Sequence, residues 1–316
     1  MKNKIYLMVL ASLLIIFSAC SNNDNVGDAS GNNDDDSKIT VGVSLLGTSN
    51  ENIVELQNGI EEKAEELDVD VRVTDANGDA SAQLEQIENF IVEGVDAILL
   101  NPVETEASSP ATQAALDADI PIVNVNAETD TPANAFVGSD DREAAEIAVN
   151  YIAEQLDEEG DMVMIQGNPG QSAEILRGEG AKNTLEDYPN MNLIKEQPAK
   201  WSREDALTLT QNWLQSSEEF QAVFAQNDEM AMGAFSAIES ANKQDDIILI
   251  GVDAIPDALE SISEGDLDAT VSQNSAEQGA EGLEIALKII NGEDYEEEVL
   301  IPFELVTEEN IDEYLD

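Results

Sequence analysis

Seven polar residues close apolar runs in this chain: Asn101, Asn124, Asn126, Gln166, Asn227, Asp253 and Gln273. Six carry a carboxamide, which offers donors and an acceptor on one planar head. A hydroxyl also donates and accepts, so a ring of carboxamides suits a neutral, hydroxyl-rich ligand. A single polar residue at the end of a run is ordinary turn chemistry. A series of them drawn from both halves of the chain points to a shared crevice. The chain contains no histidine, which removes His-based triads, imidazole acid–base chemistry and His metal ligands together.

The elements that must position these side chains alternate. From Ile39 onward, buried-strand patterns such as "ITVGVSLL" (39–46), "VDAILLNP" (95–102) and "IPIVNVN" (120–126) are separated by helical faces, the first carrying Ile53, Leu56, Ile60, Ala64 and Leu67. "VDVRV" (69–73) and "NAFVGSD" (134–140) belong to the same half. A second half repeats the rhythm with "DMVMIQG" (161–167), "MNLIKEQPA" (191–199), "FQAVFAQ" (220–226), "DIILIGVD" (246–253) and "DLDATVSQ" (266–273), and with helices predicted over 141–156, 173–187, 203–215, 228–241 and 276–291. Such alternation predicts an α/β protein of two doubly wound parallel-sheet lobes, each covered by helices on both faces. In such sheets ligands sit outside the carboxyl ends of the strands. Asn227, in "VFAQNDEMAMGA" (223–234), is therefore expected to look into a cleft between the lobes.

Totals narrow the classes further. A length of 316 residues fits two lobes better than one core. The 68 acidic residues against 13 basic ones give a net charge of −55, which excludes nucleic acid as a partner because phosphate binding needs a Lys/Arg surface. A phosphosugar or nucleotide ligand is disfavoured on the same ground. Self-repulsion at this density calls for screening, and the Debye length falls from about 10 Å at 0.1 M salt to about 3 Å at 1 M. A halophilic setting is the expectation. An enzyme finds little support: "GNPG" (167–170) lacks the spacing and Lys-Ser/Thr of a phosphate loop. "DANGD" (75–79) opens like a calcium loop without its closing glutamate. Both read as turns, and no metal or cofactor is expected.

Residues 1–19 pair Lys2 and Lys4 with an apolar run from Ile5 to Phe17, the pattern of a secretory signal. The sole cysteine, Cys20, follows in "FSAC", which resembles a bacterial lipoprotein box. That resemblance implies cleavage before Cys20, lipidation of its thiol and anchoring to the cell membrane on its outer side. Residues 20–37 would then be a lipidated cysteine and a flexible acidic tether.

"QAVFAQNDEMAMGA", "IGVDAIPDAL" and "GDLDATVSQNSAEQGA", with "ILLNPVETEA", "IPIVNVN", "FVGSDD" and "LRGEGA" in matching order, closely resemble the ribose/galactose/inositol-type substrate-binding proteins of bacterial ABC importers (the type I periplasmic binding proteins). The likeness runs over nearly all of residues 38–305. It implies a hinge of three crossovers near 138–141, 272–275 and 301–304. The lobes would be 38–139 plus 274–301 and 140–273 plus 302–316. The family's ligand positions fall on Asn101, Arg177, Asn227, Asp253 and Gln273, with Trp201 as the aromatic against the sugar ring. The first-strand loop "LLGTSNENIV" adds Asn50 and Asn52, the latter where the family often has an aromatic. Asn126-Ala127 replaces the frequent Asp-Arg, leaving fewer charges and one stacking wall. Arg177, one of four arginines, would grip hydroxyls with Asp253 as a charge-assisted acceptor, while Trp213 is expected in the core. The implied partners are a neutral sugar or cyclitol, an ABC permease and its ATPase, and the implied state is a monomer. Two alternatives remain open: a tethered sensor or chemoreceptor partner without transport, and another small polar ligand such as a signalling sugar derivative.

Overall fold

The computed structural model describes residues 38–315. The signal sequence, Cys20 and tether expected over 1–37 lie outside the described residues. Two six-stranded sheets carry the fold. The first holds β1 (Thr40–Leu45), β2 (Asp70–Asp75), β3 (Ala97–Leu100), β4 (Ile122–Val125), β5 (Ala135–Gly138) and the late strand β11 (Glu298–Leu300), in the order β11-β5-β4-β3-β1-β2. All its pairings are parallel. The second holds β6 (Glu159–Gln166), β7 (Asn190–Pro198), β8 (Ala222–Ala225), β9 (Ile248–Ile250), β10 (Ala269–Ser272) and β12 (Glu304–Thr307), in the order β12-β10-β9-β8-β6-β7. Its pairings are parallel except β12, which runs antiparallel to β10.

Central strands such as β3 and β8 are apolar throughout and buried at every residue, as a sheet covered on both faces demands. Edge strand β2 alternates between exposed and half-buried positions instead. Helices α1 (Glu51–Leu67), α2 (Ala80–Glu93), α3 (Ser109–Asp117) and α9 (Ser275–Asn291) accompany the first sheet. Helices α4 (Asp141–Gln155), α5 (Ser172–Leu185), α6 (Arg203–Leu214), α7 (Asp228–Ser240) and α8 (Pro256–Glu264) accompany the second. Trp213 is buried at 4% exposure in that core, edge-on to Phe220 at 6.5 Å between ring centroids.

The chain crosses between the sheets three times, from β5 into α4, from β10 into α9 and from β11 into β12. Strands β11 and β12 are additions to the sequence reading, which takes their region only as a crossover. Both sheets share one strand order. In the first, β1 sits between β2 and β3; in the second, β6 sits between β7 and β8. Connections diverge to opposite faces at those central strands, which opens a crevice at their carboxyl ends. The loops there are 46–50 and 101–105 in one half, and 167–171 and 226–227 in the other.

Candidate functional site

These loops enclose a cleft with about 530 Å³ of empty space, its open mouth included. Eight of the nine ligand positions expected from the sequence line it: Asn50, Asn52, Asn126, Arg177, Trp201, Asn227, Asp253 and Gln273. Asn101 does not. Its Oδ1 accepts from the Leu46 backbone (3.2 Å) and its Nδ2 donates to the Val125 carbonyl (3.2 Å), so it ties the ends of β1, β3 and β4 together. Asn124 and Gln166 also turn to local partners, Thr129 Oγ1 (3.1 Å) and Glu174 Oε1 (3.4 Å).

Asn227 serves two purposes. As the N-cap of α7 its Oδ1 accepts from Met230 N at 3.0 Å, satisfying one of the helix's orphan donors. Its Nδ2 is buried and has no partner in the protein. A buried amide nitrogen left unpaired costs about 1–3 kcal/mol, so this donor is available to something that enters the cavity. Asn50 caps α1 in the same way, accepting from Asn52 N at 3.1 Å. Asn52 accepts from Ser275 Oγ.

Arg177 lies on α5 at 3% exposure. Its Nε donates to Asp141 Oδ1 at 2.8 Å, its Nη1 donates to the Gln226 carbonyl, and that same nitrogen stands 3.9 Å from Asp253 Oδ1. Burial pushes the carboxyls of Asp141 and Asp253 up from the ordinary range, against the downward pull of the Arg177 charge. Gln273 Nε2 donates to Asp253, and its Oε1 accepts from Asn126 Nδ2 at 3.1 Å. Behind them Asp228 accepts from Thr270 Oγ1 (2.7 Å) and Ile255 N (3.1 Å), which fixes the bend that presents Asp253. That bend ends β9 at Ile250, three residues before the predicted limit. Asn126 (φ 65°), Trp201 (φ 62°) and Asp253 (φ 129°) all hold positive φ, a strained conformation that tends to gather at functional sites.

The indole of Trp201 lies flat over Gly167, where an added Cβ would come within 1.9 Å of the ring. Its Nε1 donates to Gln171 Oε1, and Gln171 Nε2 reaches the other half of the molecule at the Val103 carbonyl, 2.8 Å away. Thr105 N and Gly170 O also meet across the cleft, at 3.4 Å. One wall is thus aromatic and the edges are amide and charge, an arrangement that covers the C–H face of a sugar ring while binding its edge hydroxyls.

The family model for the periplasmic binding protein domain matches residues 41–294. This chain belongs to that family. A putative rhizopine-binding protein of Rhizobium meliloti is 37% identical over 284 residues, covering 87% of this chain and 92% of its own length. The ribose import binding protein RbsB of Bacillus subtilis is 33% identical over 302 residues, covering 95% and 98%. Among solved structures, an ABC transporter solute binding protein from Bacillus halodurans with bound myo-inositol superposes with a TM-score of 0.84 at 39% identity, covering 88% of this chain and 97% of that one. Periplasmic binding proteins are solute binders and not enzymes, and the strand order, the three crossings and the cleft of this chain follow that plan.

The sequence reading passed over several residues of the site. Gln171 lies just past "GNPG", taken only as a turn, and Asp141 follows Asp140 in "FVGSDD". Gln278 on α9 donates to Ser139 Oγ (3.0 Å) and to the Gln273 carbonyl (2.7 Å), while its Oε1 accepts from Asn126 Nδ2 (3.1 Å). Only the run of polar residues within α9, an otherwise amphipathic helix, hinted at it.

Proposed function

We propose that this chain is the extracytoplasmic solute-binding component of an ABC importer, capturing a neutral sugar or cyclitol between its two halves and delivering it to a membrane permease and the permease's ATPase. The observation that carries this reading is the unpaired, buried Nδ2 of Asn227, which shares one cavity with Arg177, Asp253, Gln273 and the Trp201 indole. A hydroxyl that accepts from Asn227 and donates to Asp253 would satisfy both. The myo-inositol found in a structural neighbour and the ribose named for a relative support the ligand class. The nine functional positions are Asn50, Asn52, Asn126, Arg177, Trp201, Asn227, Asp253 and Gln273 at the ligand, with Asn101 acting behind them. The protein works as a monomer, held at the membrane by a lipid on Cys20 and spaced from it by residues 21–37. Among the described residues no helix is long and apolar enough to cross a membrane.

The test is a thermal-shift screen of pentoses, hexoses and cyclitols, including D-ribose and myo-inositol, in high salt. A ligand at 100 times its Kd stabilises the native state by about 2.7 kcal/mol, a readable rise in Tm. A screen in which none of these compounds moves the transition would refute the assignment. Anchoring has its own readout: Cys20→Ala should release the protein from the membrane fraction, and retention there would refute the lipid anchor.

A further inference from the structure

Among the described residues Arg177 is the only cationic side chain lining the cleft, and a free guanidinium facing a cavity is a ready hook for carboxylate or phosphate, which it grips through two parallel hydrogen bonds. Here that hook is occupied in advance. Asp141 is the first residue of α4, directly after the crossing from β5, and is buried at 4% exposure. Its Oδ1 accepts a hydrogen bond from Arg177 Nε at 2.8 Å. The Gln226 carbonyl accepts a hydrogen bond from Nη1, and Asp253 stands 3.9 Å from that nitrogen. Two buried carboxylates therefore face one guanidinium, and Asp141 itself is not among the residues lining the cleft. The cavity receives the directional N–H donors of Arg177 without a net positive charge.

We infer that Asp141 is a positioning residue that sets ligand specificity: by neutralising and orienting Arg177 before any ligand arrives, it fits the cleft to uncharged polyols and shuts out sugar acids. The inference rests on the proposed reading of the cleft as a polyol site. It adds that, beside the carboxylates of Glu104, Glu128 and Asp253 on the wall, one behind the wall also takes part in the discrimination by charge. An anion entering the cleft meets a guanidinium already paired, and must either displace a buried carboxylate or lie beside it unpaired. Both are costly next to charges that are themselves buried.

The experiment compares purified wild type, Asp141→Asn, Asp141→Ser and Asp141→Glu by thermal shift and calorimetry. The neutral probes are myo-inositol, D-ribose and D-allose; the acidic probes are D-glucuronate, D-galacturonate and D-ribonate. Wild type should answer to a neutral probe and to no acid. In Asp141→Asn and Asp141→Ser the preference for neutral over acidic ligand should narrow by about tenfold or more, the scale on which a charge acts on a partner about 4–6 Å away. Asp141→Glu, which keeps the charge, should restore rejection. A uniform loss of affinity for every probe would mean that Asp141 only supports the fold. An unchanged preference in Asp141→Asn, or tight binding of a sugar acid by wild type, would equally overturn the inference, and the wild-type arm stands even if a variant does not fold. If no neutral probe binds wild type, it is the proposed function that fails, whereas intact neutral binding with an unaltered preference refutes the role of Asp141 alone.

Discussion

Replacing Gly167 by alanine should damage the cleft through one side chain. Gly167 follows β6, and its N–H donates to Gln226 Oε1 at 2.8 Å. A Cβ placed there would lie 1.9, 2.0 and 2.4 Å from three atoms of the Trp201 indole. Ordinary contact needs about 3.4–4 Å, so the ring must withdraw by roughly 1.5 Å or the strand must shift, an overpacking cost of about 1–3 kcal/mol. Withdrawal also breaks the bond from Trp201 Nε1 to Gln171, which holds the Val103 carbonyl of the other half. Losing it adds about 0.5–1.5 kcal/mol. We expect Gly167→Ala to lower stability by about 2 kcal/mol in urea titrations and to weaken polyol binding about tenfold or more. The emission of Trp201 should shift to the red, with Trp213 silenced by Trp213→Phe in both proteins to isolate the signal. Unchanged emission and unchanged affinity in Gly167→Ala would refute the packing argument, since neither is compatible with a displaced indole.

Gly178 in α5 makes the opposite case. An added Cβ there meets only Gln226 Nε2 at 3.6 Å, so Gly178→Ala should stabilise the protein by the helix gain of up to about 1 kcal/mol and raise its urea midpoint; a lower midpoint would contradict it. Asp228 is buried, and lost solvation raises its pKa to about 6. The unfolded chain releases this proton near pH 4, so the stability linked to this group is full below that and is lost as pH rises through about 6. Asp228→Asn should flatten that fall between pH 4 and 6, and an unaltered slope would count against it. With a net charge of −55, Tm should climb as NaCl rises from 0.1 to about 1 M, where screening shortens to about 3 Å; a flat curve would remove the halophilic reading.

Helix and strand order was legible because apolar periodicity is strong on both sides of each sheet: α4, α5, α6, α7 and α9 begin and end within two residues of the predicted spans. β11 and β12 were not, being short, partly exposed strands split by Pro302, with little of the apolar run that marks a buried strand. At the cleft, residue type and strand position together indicated Asn227, Asp253 and Gln273. The same rule suggested Asn101 and Asn124, whose heads turn inward to backbone and to Thr129. Which way an amide faces depends on neighbours brought up by folding, and strand ends alone do not encode it. Asp141, Gln171 and Gln278 were hidden for that reason: their partners Arg177, Val103 and Asn126 lie 36, 68 and 152 residues away in the chain.

The carboxamide of Gln278 holds Ser139 on one crossing, Gln273 on another and Asn126 on the cleft wall. Two strands of a hinge left to themselves could bend by different amounts and let the halves skew. Pinned by a common head group, they must turn together, so the freedom left to the molecule is closer to the swing of a door than to the play of a loose strap. A solute that draws on Asn126 therefore pulls on the axle itself.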